Sequence, residues 1–577
     1  MRVFCQYINR TRSVRYCLPV FLAWIIIVGV ACSAPPVQAQ HPAQKGSPTP
    51  IQLFDQPDPF TQQVPASSAV LTQRDDAARQ GWNAAETHLN TGDVNTSQFG
   101  KRLTYQVDGK IYAQPLYVPN LAIRGITYNV VIVATEHDSV YAFDADARSS
   151  QPPLWYISFL SAGVSPVSST SDVVCNNIAP EVGITGTPVI DASTRTLYVV
   201  AATREGLQLV YRLHALDITT GREKIAPARI QASVSVSGSV TSAGNVSFDA
   251  RTEQEHMGLL LLNGIVYIAF ASYCGKYFYH GWILGYRAAD LEQAIVYNTT
   301  PHAWGGGLWE SATGLVADQD GNIYVATGNG AYDLNTGGPD AGDTLLKLRP
   351  QNGTLKVEDF FTPFNQLCLM QHDVDLGSGA PFLLPDSQNM LVVGKEGRVY
   401  VLDREDLGGY HTLPDPCSSL ARTDIDQVVQ EFPPQTVSGG VWSTASYWAG
   451  PTGAYIYMAG VADHLKAWRV VAGKLLPAFT SQAAETLSYP GGEPVISSNG
   501  SKPGSGIVWI LDQEHGPALR AYDASNLAHE LYNSQQNALR DGLATYDTFS
   551  VPTVTNGEVF VGSGASLSIF GLLDCCQ

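Results

Sequence analysis

Among the places where the sequence sets a histidine or lysine beside an acid are Glu136–His137–Asp138, Lys395–Glu396, Asp463–His464 and Glu514–His515. Other acids and aromatics stand near glycine-rich turns: Glu181, Trp309, Glu310, His372, Asp373, Asp375, Ser378 and Trp442. Carboxylates are hard oxygen ligands for a cation. An acid next to His or Lys can hold or move a proton. An indole offers a flat plate for a planar ligand. The same residue types also cap strands and turns in water, so their position must decide between the two roles. Other chemistries find less support. Gly305–Gly307 and Gly377–Gly379 are glycine-rich, but no Lys-Ser/Thr follows to make a phosphate loop. Asp333 to Asp343 has the acids of a calcium loop without its twelfth-position Glu, and reads as a turn-rich insertion. No Cys/His cluster has zinc spacing.

The elements that position these residues repeat. Strands ending apolar-x-small-aromatic, often with Asp next, occur as Val140–Asp144 (VYAFD), Leu213–Asp217, Val399–Asp403 and Leu519–Asp523. Looser copies are Ile283–Tyr286, Leu345–Leu348, Leu465–Trp468 and Leu567–Phe570. Short strands recurring at this spacing predict an all-β propeller of four-stranded antiparallel sheets. The copies give eight blades, with seven as the alternative count. The last copy runs out of chain before its outer strand, while Arg102–Val107 is a spare strand at the other end. Pairing the two closes the ring and removes two open sheet edges. In such a fold the loop before the innermost strand (the incoming loop) and the loop between the second and third strands open on one face. The residues named above fall in those loops.

The ends and the charge bound the function. Arg2, Arg10, Arg12 and Arg15 precede an apolar run from Leu18 to Ala31, which reads as a signal peptide over residues 1–39. A lipoprotein site at Cys32 is the second reading and an uncleaved anchor the third. Residues 40–68 read as a disordered linker rich in Pro, Gln and Ser, 69–100 as a lead-in segment and 101–577 as the propeller. The formal charge is −18, with 52 acids against 34 bases, and loss of the leader would make it more negative. That balance argues against nucleic acid, whose phosphates need clustered Lys and Arg. An exported, disulfide-bonded protein, periplasmic, cell-surface or secreted, is expected. Topology places Cys175 and Cys274 on the same face of neighbouring blades, and Cys368–Cys417 is the next pair by elimination. Cys575 and Cys576 follow the last strand.

The chain resembles the pyrroloquinoline-quinone (PQQ)-like propellers. The residues that carry the resemblance are Asp217–Gly221 (DITTG), Val133–Asp146, Pro180–Pro188 (PEVGITGTP) and Gly394–Gly397 (GKEG). That superfamily holds PQQ-dependent alcohol dehydrogenases and non-enzymatic relatives. The resemblance implies a carboxylate base, a calcium ion held by oxygens, an aromatic floor under the quinone and adjacent cysteines on its other face. Glu181, Glu310, Asp373 and Asp375 are the oxygen candidates, and Trp309 or Trp442 the floor. The chain departs from the pattern. Its only Cys-Cys lies after the last strand, and it has neither the Gly-Lys-x-x-Trp docking motif nor a CxxCH haem site.

The expectation is therefore an exported PQQ-like propeller acting as a binding or scaffold module through its loop face. PQQ and calcium are its candidate cofactors. Its partner is a small molecule, glycan or protein, with no transmembrane helix in the mature chain. The candidate loop-face residues are Glu136, His137, Asp138, Glu181, Trp309, Glu310, Asp373, Asp375, Lys395, Glu396, Trp442 and His515. The alternatives are a PQQ- and Ca-dependent alcohol or sugar dehydrogenase with a divergent site, and a surface adhesion or assembly module.

Overall fold

A computed structural model describes residues 68–573, apart from 236–243, 277, 311–312, 515 and 546. The leader, most of the linker, His515, Cys575 and Cys576 lie outside the described residues. Eight antiparallel sheets form a ring. Blade 1 runs Leu116–Ile123, Ile126–Thr135, Ser139–Asp144 and Trp155–Ser158, from the centre outward. Blade 8 takes its three inner strands from the C-terminus, Thr553–Thr555, Glu558–Gly562 and Ser566–Leu572. Its outer strand is Phe99–Gln106, antiparallel to Ser566–Leu572. The two ends of the chain thus share one sheet, and the count is eight.

Alternation explains the packing. In Ser139–Asp144, Val140 and Ala142 point into the junction with blade 2, while Tyr141 and Phe143 point into the junction with blade 8. Both faces are buried, so both must be apolar. Among the described residues, eight apolar clusters fill the eight junctions between blades. The repeated Asp has a separate reason. Asp144, Asp217, Asp403 and Asp523 end their strands, and each Oδ1 accepts the N–H two residues on, at 2.8–3.1 Å. These are Asx turns, which reverse the chain with a side chain in place of a backbone bond. Aromatic donors then tie neighbouring blades: Trp155 Nε1 donates to Ile218 O at 2.7 Å and Tyr198 Oη to Ala288 O at 2.8 Å.

The lead-in segment does something the sequence does not announce. Residues 68–86 fill the middle of the ring as a hairpin-like plug. Thr555, at the end of blade 8's innermost strand, donates to Ser68 O, and Val70 pairs with Tyr117 of blade 1. The chain then meets blade 2 through Leu71 O and Ile190 N, and blade 4 through Ala77 O and Ala317 N. It returns as Trp82–Asn83, parallel to Val495–Ser497 of blade 7, and leaves beside the turn at Asn499. Both ends of the plug lie on the face away from the site loops, so its tip, Arg74 to Arg79, points toward them. Arg74 and Arg79 are fully buried. Arg74 donates to Ala445 O at 2.8 Å, Ser446 Oγ at 2.7 Å and Pro494 O at 3.3 Å. Arg79 donates to Leu259 O at 3.0 Å and Gln73 O at 2.8 Å. Carbonyls at the inner edges of the blades satisfy most of these buried guanidinium donors, while Arg74 Nη1 is left without a partner.

Two disulfides brace the loop face: Cys175–Cys274 between blades 2 and 3, and Cys368–Cys417 at blade 5. The second clamps the short helix Gln366–His372 to the turn Pro416–Ser418. Among the described residues, no helix is long and apolar enough to cross a membrane.

Candidate functional site

Blades 3, 4 and 5 bring one group of side chains together on the loop face. Trp309, in the incoming loop of blade 4, is half-buried. Tyr279 stands edge-on to it at 6.1 Å between centroids, and His256 is tilted at 6.2 Å. Blade 4's long loop between its second and third strands supplies Asn329 and Asp343. Blade 5 supplies Asp373, Asp375 and Lys395. The parts interlock: Asn329 N donates to Asp375 Oδ1 at 2.7 Å, and Asn329 Nδ2 donates to Asp373 Oδ1 at 2.9 Å. Lys395 Nζ pairs with Asp375 Oδ2 and lies 3.3 Å from Asp373 Oδ1. Gly328 makes this approach feasible, since a Cβ there would stand 2.5 Å from Asp375 Oδ1 and 2.7 Å from the Trp309 ring.

Electrostatics divide the group. Burial pushes Lys395 toward the neutral form, but Asp375 and Asp373 outweigh it and raise the ammonium above its ordinary value. Asp343 is fully buried, and burial raises it well above the usual carboxylate range. Asp343 Oδ1 accepts Leu376 N at 3.2 Å, while Asp343 Oδ2 and Asn329 Oδ1 are buried without a partner. Buried unpaired oxygens next to an ammonium are the features here that call for a ligand. A second aromatic group completes the rim: Trp442 lies edge-on to Tyr489 at 5.5 Å, and Tyr489 to Phe549 at 6.2 Å. Phe549 has φ +69°, a left-handed conformation unusual for a bulky residue.

The other sequence candidates lie elsewhere. His137 and Glu181 pair at 2.8 Å on the rim of blades 1 and 2, each about one-third exposed. Glu136 and Asp138 are buried below them. Glu310 lies under Trp309, where its Oε1 accepts Ala326 N at 2.6 Å. Burial raises Glu310 well above its ordinary range, offset in part by Arg79 of the plug. Glu396 turns away from the centre, accepting from Asn365 Nδ2 at 3.1 Å and Arg398 Nε at 2.9 Å. Asp463 pairs with Lys466 at 2.7 Å. His372 bonds Cys368 O within its own helix, and Ser378 Oγ donates to Val441 O at 2.7 Å. Asn329, Tyr279, His256 and Tyr489 did not emerge from the sequence, and Asp343 emerged only as an acid of a turn-rich insertion. All are in the two classes of loop that topology singles out. A search restricted to charged pairs and tryptophans passes over an amide and a tyrosine.

No family model matches the sequence, and no curated protein matches it. Solved structures do. The quinohemoprotein alcohol dehydrogenase from Comamonas testosteroni superposes with a TM-score of 0.58 at 15% identity, covering 90% of this chain and 82% of that one. A quinohemoprotein alcohol dehydrogenase from Pseudomonas putida gives 0.55 at 13% identity, covering 88% and 81%. The fold is that of the PQQ-like β-propellers. BamB from Moraxella catarrhalis also aligns, at 12% identity over 82% of this chain and 99% of that one, but its TM-score of 0.45 is too low to argue from.

The cofactor such a fold implies can be tested against the residues present. Trp309 fits a floor for a planar quinone, Lys395 fits a partner for its carboxylate or carbonyl oxygens, and Asp375, Asp343 and Asn329 offer hard oxygens. Among the described residues, no three His, Cys, Asp or Glu side chains are arranged to hold a metal ion. The oxygen set here counts two aspartates and an amide, so a cation would need ligand oxygens to complete its shell. Among the described residues, the two disulfides join cysteines far apart in sequence, at separations of 99 and 49.

Proposed function

We propose that the loop face binds a planar, anionic small molecule of the quinone class, and that the protein is an exported binding module built on a closed propeller. The observation that carries this is the convergence of Trp309, Lys395, Asp375 and the unpartnered oxygens of Asn329 and Asp343 at one place. The indole supplies a stacking plate. Lys395 supplies a charge that its neighbours keep in the ammonium form. Asp375 holds Lys395 before the ligand arrives and orders Asn329 through its backbone N–H. The plug lies against the inner strands of blades 1, 2, 4 and 7 and gives the loop face a packed floor.

A second reading, a dehydrogenase of alcohols or sugars, is favoured by the same carboxylate. A bound quinone would supply the two-electron acceptor. Asp375, freed from Lys395 by the ligand's own anionic groups, would then hold the substrate hydroxyl proton. Adding PQQ, with and without Ca²⁺, to the purified protein tests both readings. Saturable quenching of tryptophan fluorescence supports the binding module. Dye-linked alcohol or sugar oxidation on top of binding makes it an enzyme. No binding under either condition removes both.

A further inference from the structure

A separate group of acids on the same face has no base to serve. Glu136, Asp138 and Glu255 surround residues 183–186, in the incoming loop of blade 2. Glu136 Oε2 accepts Gly183 N at 2.7 Å and Thr185 Oγ1 at 3.1 Å. Glu255 Oε2 accepts Gly186 N at 3.0 Å. The loop therefore hangs between a carboxyl of blade 1 and a carboxyl of blade 3. The approach is close: a Cβ on Gly186 would stand 1.9 Å from Glu255 Oε1, and one on Gly183 would stand 2.9 Å from Asp138 Oδ1. All three acids are at most 2% exposed. Glu136 Oε1, Glu255 Oε1 and both oxygens of Asp138 are buried without a hydrogen-bond partner.

The groups that face them do not neutralise them. Asp108 and Lys110 come from the segment before blade 1, Asp547 from the incoming loop of blade 8, and His137 with Glu181 from the rim. Blade 3 contributes Tyr273, whose hydroxyl is shared with Tyr211 at 2.7 Å. Lys110, the lysine among them, is already 3.3 Å from Asp547. Three ionised carboxylates buried here would be desolvated, and Glu136 would repel both Asp138 and Glu255. A carboxyl group that keeps its proton avoids both costs and can still accept a backbone N–H.

We infer that Glu136, Asp138 and Glu255 are a proton-loaded latch: neutral, Glu136 and Glu255 hold residues 183–186 across blades 1, 2 and 3 with Asp138 close beside Gly183, and ionisation of the group in alkaline solution releases that part of the loop face. Burial is the largest cause for each; it raises Glu136 to about 8 and Asp138 and Glu255 well above their ordinary values. The folded state then binds more protons than the unfolded one. Stability is fully present below the unfolded pKa and declines as pH rises through the folded one.

The test is a thermal unfolding midpoint at about pH 5.5 and about pH 8.5, on either side of the expected ionisation of Glu136, for the wild type and for Glu136→Gln, Asp138→Asn and Glu255→Gln. It is read beside the infrared C=O band of protonated carboxyls, taken as the difference between the wild type and each variant, because burial also raises Asp343 and Glu310. The latch predicts a midpoint several degrees lower at the higher pH, a smaller fall in each variant, and a protonated band at neutral pH that alkali removes. Absence of that band at neutral pH would overturn the latch, as would an equal fall in all four proteins. So would added Na⁺ or Ca²⁺ that raises the midpoint and abolishes the band, which would make the acids a cation site. Three variants are compared, so one that does not fold leaves the test to the other two.

Discussion

Two groups of acids occupy equivalent loops on one face of the ring, and they are built differently. On blades 4 and 5, Asp375 has Lys395 against it, an exposed Asp373 beside it and a half-buried indole nearby. On blades 1 to 3, Glu136 and Glu255 accept backbone N–H donors, Asp138 lies unpartnered beside them, glycines approach closely, and the lysine nearby, Lys110, is paired with Asp547. A carboxylate beside an ammonium stays charged and can exchange that partner for a ligand. Carboxyls packed against one another cannot all be charged, and serve to hold loops together. The same residue type in the same topological position thus gives a binding surface in one half and a brace in the other. Having a base within reach, and not the acid itself, separates them.

Removing what the two halves share should have the largest effect. Arg74→Ala takes buried guanidinium bonds from the plug and leaves Glu493 without its neighbouring cation, at a cost of about 3–5 kcal/mol. Denaturant unfolding should show this loss, and quinone binding should weaken with it because the floor beneath both groups is loosened. Unchanged stability would mean that the plug is not integral to the ring.

The disulfides sharpen the contrast, since each belongs to one half. Replacing Cys175 and Cys274 with Ser should cost about 2–4 kcal/mol. Replacing Cys368 and Cys417 should cost about 0.6 kcal/mol less, because the sequence separations are 99 and 49 residues and loop entropy grows with the logarithm of length. The Cys175–Cys274 pair should affect the blade 1–3 acids and leave the ligand site largely intact. The Cys368–Cys417 pair should weaken ligand binding through Asp373 and Lys395.

Trp309→Ala should reduce quinone affinity by about 10- to 100-fold, with Trp309→Phe intermediate, as loss of an aromatic anchor does. Isothermal titration would measure it. The pH dependence of the two halves should also part. Lys395 is raised above its ordinary value, so its charge, and the affinity that depends on it, should be flat through neutral pH and fall only in strong alkali. Overall stability should already decline in mild alkali, as Glu136 ionises at about 8. At the small end, Asp373→Asn changes an exposed carboxylate and should move stability by less than about 0.5 kcal/mol.

Much of this architecture was legible in the sequence. Val140–Asp144 and its copies declare strands by alternation, and their terminal Asp declares a turn, because both signals are local. Ring closure by an N-terminal strand followed from counting strands, which placed it at Arg102–Val107, and the strand runs Phe99–Gln106. The plug was not legible. Nothing in the sequence singles out its buried arginines, Arg74 and Arg79, since carbonyls that bond them belong to blades hundreds of residues away. The ligand site was half legible. Topology gathered Trp309, Asp375 and Lys395 into one class of loops, but it equally gathered Glu396, whose side chain turns out to Arg398. Loop class fixes the face on which a residue emerges. Only packing fixes which way its side chain then points.

The most direct test of the central claim, that a base within reach makes the blade 4–5 acids a ligand site, is a fluorescence titration with PQQ. It compares wild type, Lys395→Met and Glu136→Gln at one pH. Saturable binding that weakens at least about tenfold in Lys395→Met and is unchanged in Glu136→Gln is the predicted result, a tenfold loss corresponding to about 1.4 kcal/mol. Equal binding by all three proteins, or loss in Glu136→Gln alone, would contradict it.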